Sequence, residues 1–202
     1  MKSETQCRFE LDLFLDFLVE KYVKVYCELG LYAGTTFLEV YKTLREHYGP
    51  DVRFAMIAIE YPTNNEAFNY LESIVLPEIR KDKNVDLYVF ISNSTSIDIV
   101  ENVNEAVLNT EWKNENSAIF IDGDHSYRQS RDDYLAYRDM FTFVAFNDIS
   151  PRTVQKNIAK HGRDIATVYH LWDGLTIPRS IDEYIVFDDT TSVNPRGIGI
   201  LL

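Results

Sequence analysis

Five times along this chain, a short run of mostly apolar residues is followed by a segment with helical spacing of its apolar positions. The apolar runs are 23–30 (VKVYCELG), 53–60 (RFAMIAIE), 86–93 (DLYVFISN), 117–122 (SAIFID) and 141–148 (FTFVAFND). Runs that are continuous rather than alternating are typical of parallel strands whose two faces are both covered. The alternation therefore predicts an α/β fold with helices on both faces of a parallel sheet.

The helices between these runs are predicted at 35–49, 64–79 with an interruption at Pro77, near 97–110, near 126–139, and from Pro151 towards Leu175. An amphipathic helix at 9–22 precedes the first strand, and we expect it to serve as a lid or as the contact of a homodimer. Two further strands, 183–189 and 197–202, have a connection between them that is too short for a parallel crossover. We therefore predict a Rossmann-like, mostly parallel sheet with a C-terminal antiparallel strand, in a single domain spanning 1–202.

Composition excludes some classes of partner. The formal net charge of -12 disfavours nucleic acid and anionic membranes, because both attract clustered Lys and Arg. The two cysteines, Cys7 and Cys27, are too few for a disulfide framework, and Cys27 lies in an apolar run that predicts a buried free thiol. The sequence has no apolar segment of membrane-spanning length and no signal-peptide pattern at its start. We expect a cytoplasmic protein.

The ends of the predicted strands carry polar residues, and ligands of open α/β sheets bind beyond these ends. After the first strand, Gly30 and Gly34 predict a tight turn close to a ligand, while Thr35 and Thr36 could cap the next helix. The G-x-x-x-G spacing differs from the dinucleotide fingerprint, which disfavours a pyrophosphate cradle. The plain alternative is a glycine turn that binds nothing.

Glu60 ends the second predicted strand, about 30 residues after the start of the first turn. A carboxylate at this place is suited to accept hydrogen bonds from the two hydroxyl groups of a ribose. The alternative is an acid that interacts only with the dipole of the following helix.

These stretches resemble a known family. ELGLYAGTT (28–36) resembles the first motif of S-adenosylmethionine-dependent O-methyltransferases of the catechol type. The resemblance extends to Glu60 in IAIEYP, to IFIDGDHSY (119–127), to FNDI (146–149) and to the terminal strand pair, so it covers nearly the whole chain. IDGDHSY is also similar to a bacterial and viral group of small methyltransferases, some of which methylate sugars.

The resemblance implies a class I methyltransferase fold and an O-methyltransferase that acts on a hydroxyl group of a sugar or glycan. A catechol-like small molecule is the alternative acceptor, and a noncatalytic binding protein with the same fold is the alternative from another class. For the cofactor S-adenosylmethionine, the resemblance implies contacts around its methionine part, its ribose and its adenine. Around the methionine part these are Glu28, Gly30, Tyr32, Gly34 and Thr36. Glu60 would hold the ribose, and Asn93 and Ser94 would lie by the adenine. Asp122 is also expected to contact the cofactor.

The resemblance also implies a divalent cation, Mg²⁺ or Mn²⁺, bound by Asp122, Asn147 and Asp148. Carboxylate and amide oxygens suit such hard ions. The ion would lower the pKa of the acceptor hydroxyl and hold it in line with the methyl group. His125, three residues after Asp122, would be the general base, since an unperturbed imidazole titrates near neutrality.

Two positions depart from the catechol-type pattern. That type has the acid first in the pair occupied here by Asn147 and Asp148, and it has a lysine where this chain has His125. A histidine at this offset is similar to the sugar-modifying group, which favours a carbohydrate hydroxyl as the acceptor. Asp124 stays open between a helix cap, a partner of His125 and a metal ligand. The plain alternative is that all these residues are caps, surface side chains and a turn.

Overall fold

The computed structural model describes residues 7–108, 111–152, 168–192 and 196–202, which form one sheet flanked by helices. Its strands are β1 Val23–Leu29, β2 Phe54–Glu60, β3 Val85–Ile91, β4 Asn116–Ile121, β5 Phe143–Asn147, β6 Tyr184–Phe187 and β7 Ile198–Leu201. The strand order is β3-β2-β1-β4-β5-β7-β6. Strand β7 runs antiparallel to both of its neighbours, and the other pairs are parallel. The predicted mostly parallel sheet with a C-terminal antiparallel strand is confirmed.

The helices pack around this sheet. They are α1 Arg8–Glu20, α2 Thr35–Tyr48, α3 Asn65–Tyr70, α4 Leu76–Arg80, α5 Ile97–Val107, α6 Tyr127–Tyr137 and α7 Val168–Thr176. A π-helical turn, Leu71–Val75, joins α3 to α4, so the predicted break in the 64–79 helix comes before Pro77 and not at it. Proline has no N–H to donate backwards, and it therefore fits in the first turn of α4. Most of the helix predicted from Pro151 lies at 153–167, outside the described residues.

Two apolar layers hold the sheet. Successive strand residues point to opposite faces, so Tyr26 packs with Phe14 of α1 and Phe37 of α2, whereas Cys27 is buried in the other layer. Helices α5, α6 and α7 cover that second layer. Helices on both faces and a buried Cys27 thiol are thus confirmed. The lid or homodimer role of the 9–22 helix stays a prediction.

Within the described ranges, no helix is long and apolar enough to cross a membrane.

The topology brings the carboxyl ends of β1, β2, β4 and β5 to one edge of the sheet, where the chain order reverses on either side of β1. This edge is the usual place for a ligand in open α/β sheets.

Candidate active site

The loops that follow β1 and β4 cross in direct contact. Asp122 donates its backbone N–H to the carbonyl of Leu29 at 3.0 Å, and Gly30 donates to Ile59 at 2.9 Å. Gly30 has φ +81°, and a Cβ there would lie 2.3 Å from the Cα of Gly123. Only glycine fits such a crossing. The sequence assigned Gly30 to the cofactor, and the structure adds this packing reason.

The turn that continues from Gly30 is held in left-handed conformations. Tyr32 has φ +53° and an exposed side chain, and Gly34 has φ +73°. Gly34 is the N-cap of α2, so Thr35 and Thr36 lie in the first turn of that helix. The expectation that Thr35 or Thr36 caps the helix is therefore wrong, since the capping position belongs to a residue without a side chain.

Glu60, the last residue of β2, is buried and faces the same turn. Its Oε2 accepts the backbone N–H of Tyr32 at 2.8 Å. Burial raises the pKa of Glu60, and hydrogen bonds from the backbone of Tyr32 and Leu31 oppose this rise. Helix α3 has its own cap, because Asn64 accepts from the backbone N–H groups of its first turn. Because Glu60 binds the turn after β1 and Asn64 caps α3, an interaction with the dipole of α3 does not by itself account for Glu60.

Glu28 is a second buried carboxylate beside this turn. It is 1% exposed, and the hydroxyl of Tyr26 donates to its Oε2 at 2.7 Å. Burial raises the pKa of Glu28 well above its ordinary value, and the charges of Asp122 and Glu60 add to the rise. Tyr26 was missed by sequence reasoning, although its position two residues before Glu28 puts both side chains on one face of β1.

The loop after β3 is bonded to α6. The Ser94 hydroxyl donates to Oδ1 of Asp133 at 2.5 Å, and the Tyr137 hydroxyl donates to the carbonyl of Ser94. The side-chain oxygen of Asn93 accepts from the backbone of Thr95 at 2.9 Å. Asp133, which is 1% exposed, is a further residue that the sequence did not reveal. The contact of Asn93 and Ser94 with adenine stays a prediction.

The ends of β4 and β5 bring together a cluster of acidic, amide and basic side chains. The Asn147 amide nitrogen donates to Oδ1 of Asp122 at 2.6 Å. Asp148 has φ +61°, and its Oδ2 lies 3.1 Å from Nδ1 of His125. From the other side, Nη1 of Arg196 approaches both oxygens of Asp148, at 3.3 and 3.4 Å. The structure thus groups His125, Asp122, Asn147 and Asp148 as predicted and adds Arg196, which no motif indicated.

The cluster shifts the titration of its members. Burial alone would lower the pKa of His125, but the hydrogen bond to Asp148 and the charge of Asp122 raise it to about 9. Burial raises the pKa of Asp122 to about 6, against the charge of His125. Burial would also raise the pKa of Asp148, but His125 and Arg196 hold it below its ordinary value. At neutral pH, His125 is therefore mainly an imidazolium.

The arrangement does not fit the predicted metal site. The buried Oδ1 of Asn147 has no hydrogen-bond partner among the described residues, which is the one feature that suits a metal ligand. Asp148, however, is held by two cationic side chains, and the Asn147 amide donates to the second carboxylate, Asp122. The described residues contain no group of three or more His, Cys, Asp or Glu side chains arranged to hold an ion.

Asp124 belongs to the start of α6. Its Oδ1 accepts the backbone N–H of Ser126 at 2.7 Å, and its carbonyl accepts from the hydroxyl of Ser130. Ser126 itself is the N-cap and accepts from the backbone of Gln129. Of the three roles left open for Asp124, the structure favours the cap.

Comparison with solved structures shows the fold. The O-methyltransferase TomG from Streptomyces achromogenes, in complex with SAM, is 13% identical with a TM-score of 0.60, and the match covers 95% of this chain and 78% of that one. An O-methyltransferase from Bacillus cereus in complex with SAH is 10% identical with a TM-score of 0.59, covering 99% and 82%. CalS11, a TDP-rhamnose 3'-O-methyltransferase of calicheamicin biosynthesis, is 15% identical with a TM-score of 0.57, covering 95% and 76%. No protein-family model and no curated protein matches the chain.

Proposed function

Because the chain has the fold of class I methyltransferases, we propose that it is an S-adenosylmethionine-dependent O-methyltransferase that methylates a hydroxyl group of a sugar or glycan. The observation that carries the proposal is the meeting of Glu28, Glu60 and the cluster around Asp122 at the carboxyl edge of such a sheet. The likeness to CalS11, whose name states a sugar acceptor, supports the choice of acceptor.

The donor set at the ends of β1 and β2 fits the cofactor. S-adenosylmethionine would supply an electrophilic methyl group and leave S-adenosylhomocysteine. The carboxylate of Glu60 is suited to ribose hydroxyl groups, and that of Glu28 is suited to the amino group of the methionine part. A bound ammonium group would favour the ionised form of Glu28, which burial disfavours in the free protein. The methionine part would lie at the turn that contains Gly30, Tyr32 and Gly34, next to Thr36 in the first turn of α2.

His125 is the proposed general base. Its Nδ1 faces Asp148, so Nε2 is the atom left to meet an acceptor hydroxyl. Nε2 would accept the proton of the acceptor hydroxyl when a bound cofactor supplies the methyl group. Asp148 would hold the imidazole in place and stabilise the imidazolium that forms. Asp122, beside them, would position the acceptor.

Calorimetry with S-adenosylhomocysteine tests the proposal. We expect saturable binding to the wild-type protein and a clear loss of affinity in Glu60→Ala, because the ribose would lose its acceptor. Glu66→Ala is the matched control, since Glu66 is exposed on the next helix. A wild-type protein that does not bind at millimolar concentration would contradict the methyltransferase proposal.

A screen of methyl acceptors tests whether the acceptor is a sugar. With labelled S-adenosylmethionine, we expect transfer to sugars and not to catechol-like diols. Transfer to diols alone would support the alternative acceptor. Binding of the cofactor product without turnover on either class would favour the noncatalytic binding protein.

A further inference from the structure

The predicted metal ligand Asp148 already has a cationic partner that is built into the fold. Nη1 of Arg196 lies 3.3 Å from one oxygen of Asp148 and 3.4 Å from the other. The side chains are 18% and 4% exposed, respectively, so this ion pair is screened little by solvent. Asp148 also meets Nδ1 of His125 at 3.1 Å. One carboxylate therefore contacts both the guanidinium of Arg196 and the imidazole of His125.

The backbone fixes Arg196 opposite Asp148. Beyond the paired residues of β5 and β7, Ser150 donates its N–H to the carbonyl of Arg196 at 2.8 Å, and Ile149 donates to that of Gly197 at 3.3 Å. Gly197 has φ +75°, and a Cβ there would lie 2.9 Å from the backbone nitrogen of Ser150. The antiparallel contact thus continues past the sheet and carries Arg196 to the site.

The N-terminal helix secures the same segment. Glu10 of α1 is fully buried, and its Oε2 accepts the backbone N–H groups of Gly197 at 3.0 Å and Arg196 at 3.4 Å. Its Oε1 accepts from Asp189 at 3.0 Å. These hydrogen bonds hold the backbone of Arg196 in place, so the position of this arginine is set by the packing of the fold.

Asp148 is already paired with a permanent positive charge. Its carboxylate lies between the guanidinium of Arg196 and the imidazole of His125. A divalent ion at Asp148 would lie next to the charge of Arg196, and it would have to displace Arg196 or His125 from that carboxylate. Both effects oppose ion binding.

We infer that Arg196 is the resident cation on the acceptor side of this site, bound to Asp148 where the sequence predicts a divalent ion. The inference rests on the proposed function, since it assigns a role in that site. Arg196 neutralises Asp148 and leaves proton transfer from the acceptor to protein side chains. Methyl transfer should then persist in the presence of a chelator.

Titration of the metal-free protein with Mn²⁺, followed by the electron paramagnetic resonance signal of the free ion, tests the inference. Wild-type protein should show no saturable binding at millimolar concentrations. Arg196→Gln should bind Mn²⁺ at least about tenfold more tightly, because a full positive charge next to the ion is removed. Arg196→Lys should behave as wild type, since it keeps the charge.

Arg152→Gln is the matched control, because Arg152 is exposed and binds the carbonyl of Thr190 without touching the cluster. It should leave Mn²⁺ binding unchanged. Tight, saturable Mn²⁺ binding by the wild type would overturn the inference, even if Arg196→Gln does not fold. A folded Arg196→Gln that binds no better than wild type would overturn it as well. S-adenosylhomocysteine binding, measured on the same samples, tests the proposed function separately.

Discussion

The pair of His125 and Asp148 shows how a single contact changes the chemistry expected of a residue. An imidazole in water titrates near neutrality and would be a ready base. Here the hydrogen bond from Nδ1 to Asp148 and the charge of Asp122 raise the pKa of His125 to about 9. At pH 7, only about one molecule in a hundred would carry the neutral base. The proposed reaction should therefore speed up as the pH rises towards 9.

Replacing Asp148 should lower the pKa of His125 towards that of a free imidazole. In Asp148→Asn, the hydrogen bond to a charged oxygen and the nearest negative charge are both lost, so we expect the pKa of His125 to fall by more than one unit. The imidazole proton signals in nuclear magnetic resonance, assigned with His125→Gln, measure this directly. Asp124→Asn is the control, because Asp124 bonds to the backbone of Ser126. An unchanged titration of His125 in Asp148→Asn would refute the coupling of His125 to Asp148.

At the scale of elements, helix α1 links the two ends of the chain. It buries Leu11, Phe14 and Leu18 against the sheet, and its carboxylate at Glu10 accepts backbone N–H groups on both sides of the connection between β6 and β7. Amphipathic spacing in the sequence indicates the apolar face of this helix. A buried acid on that face is not part of such a pattern.

Removing the Glu10 carboxylate should destabilise the fold. Glu10→Ala removes the acceptor of the backbone N–H groups of Asp189, Arg196 and Gly197, of which that of Gly197 is buried and the other two are half-buried. We expect the free energy of unfolding to fall by about 2–4 kcal/mol. Urea denaturation measures the change. Asp12→Ala, on the exposed side of the same helix, should have little effect, since surface ion pairs contribute little. Equal stabilities of the two variants would refute the role of Glu10.

At the scale of the whole molecule, buried acids set the pH dependence of stability. Burial raises the pKa of Glu10, Glu28, Glu60, Asp122 and Asp133, so the folded state retains protons that the unfolded state has released. The contribution of these acids is present at low pH and is lost as the pH rises through their folded pKa values. His125 acts in the same direction, because its contribution is complete below its unfolded pKa and is lost as the pH rises through about 9.

We therefore expect the free energy of unfolding to decrease steadily from about pH 5.5 to 9. Urea denaturation at constant ionic strength measures this profile. In His125→Gln, the decrease above about pH 6.5 should become shallower, because the titration of His125 is removed. A wild-type stability that rises with pH over this range would contradict the assignment.

Much of this molecule could be predicted from local pattern. Continuous apolar runs predict strands covered on both faces, and the short connection near the C-terminus predicts an antiparallel strand. Both predictions need only residues that are close together in the sequence. The order of motifs also places Glu60, Asp122, His125 and Asp148 at one edge of the sheet, since parallel strands end on the same side.

Other features depend on residues far apart in the sequence. Glu10 lies 187 positions before Gly197, whose N–H it accepts, and Arg196 lies 48 positions after Asp148. No local periodicity encodes such pairs, because they exist only once the strands are in register. The sequence by itself determined the sheet and the site edge, through hydrophobic burial and chain reversal. Only the tertiary structure decided that Asp148 would bind Arg196 and His125, because charge partners are set by distance in space and not along the chain.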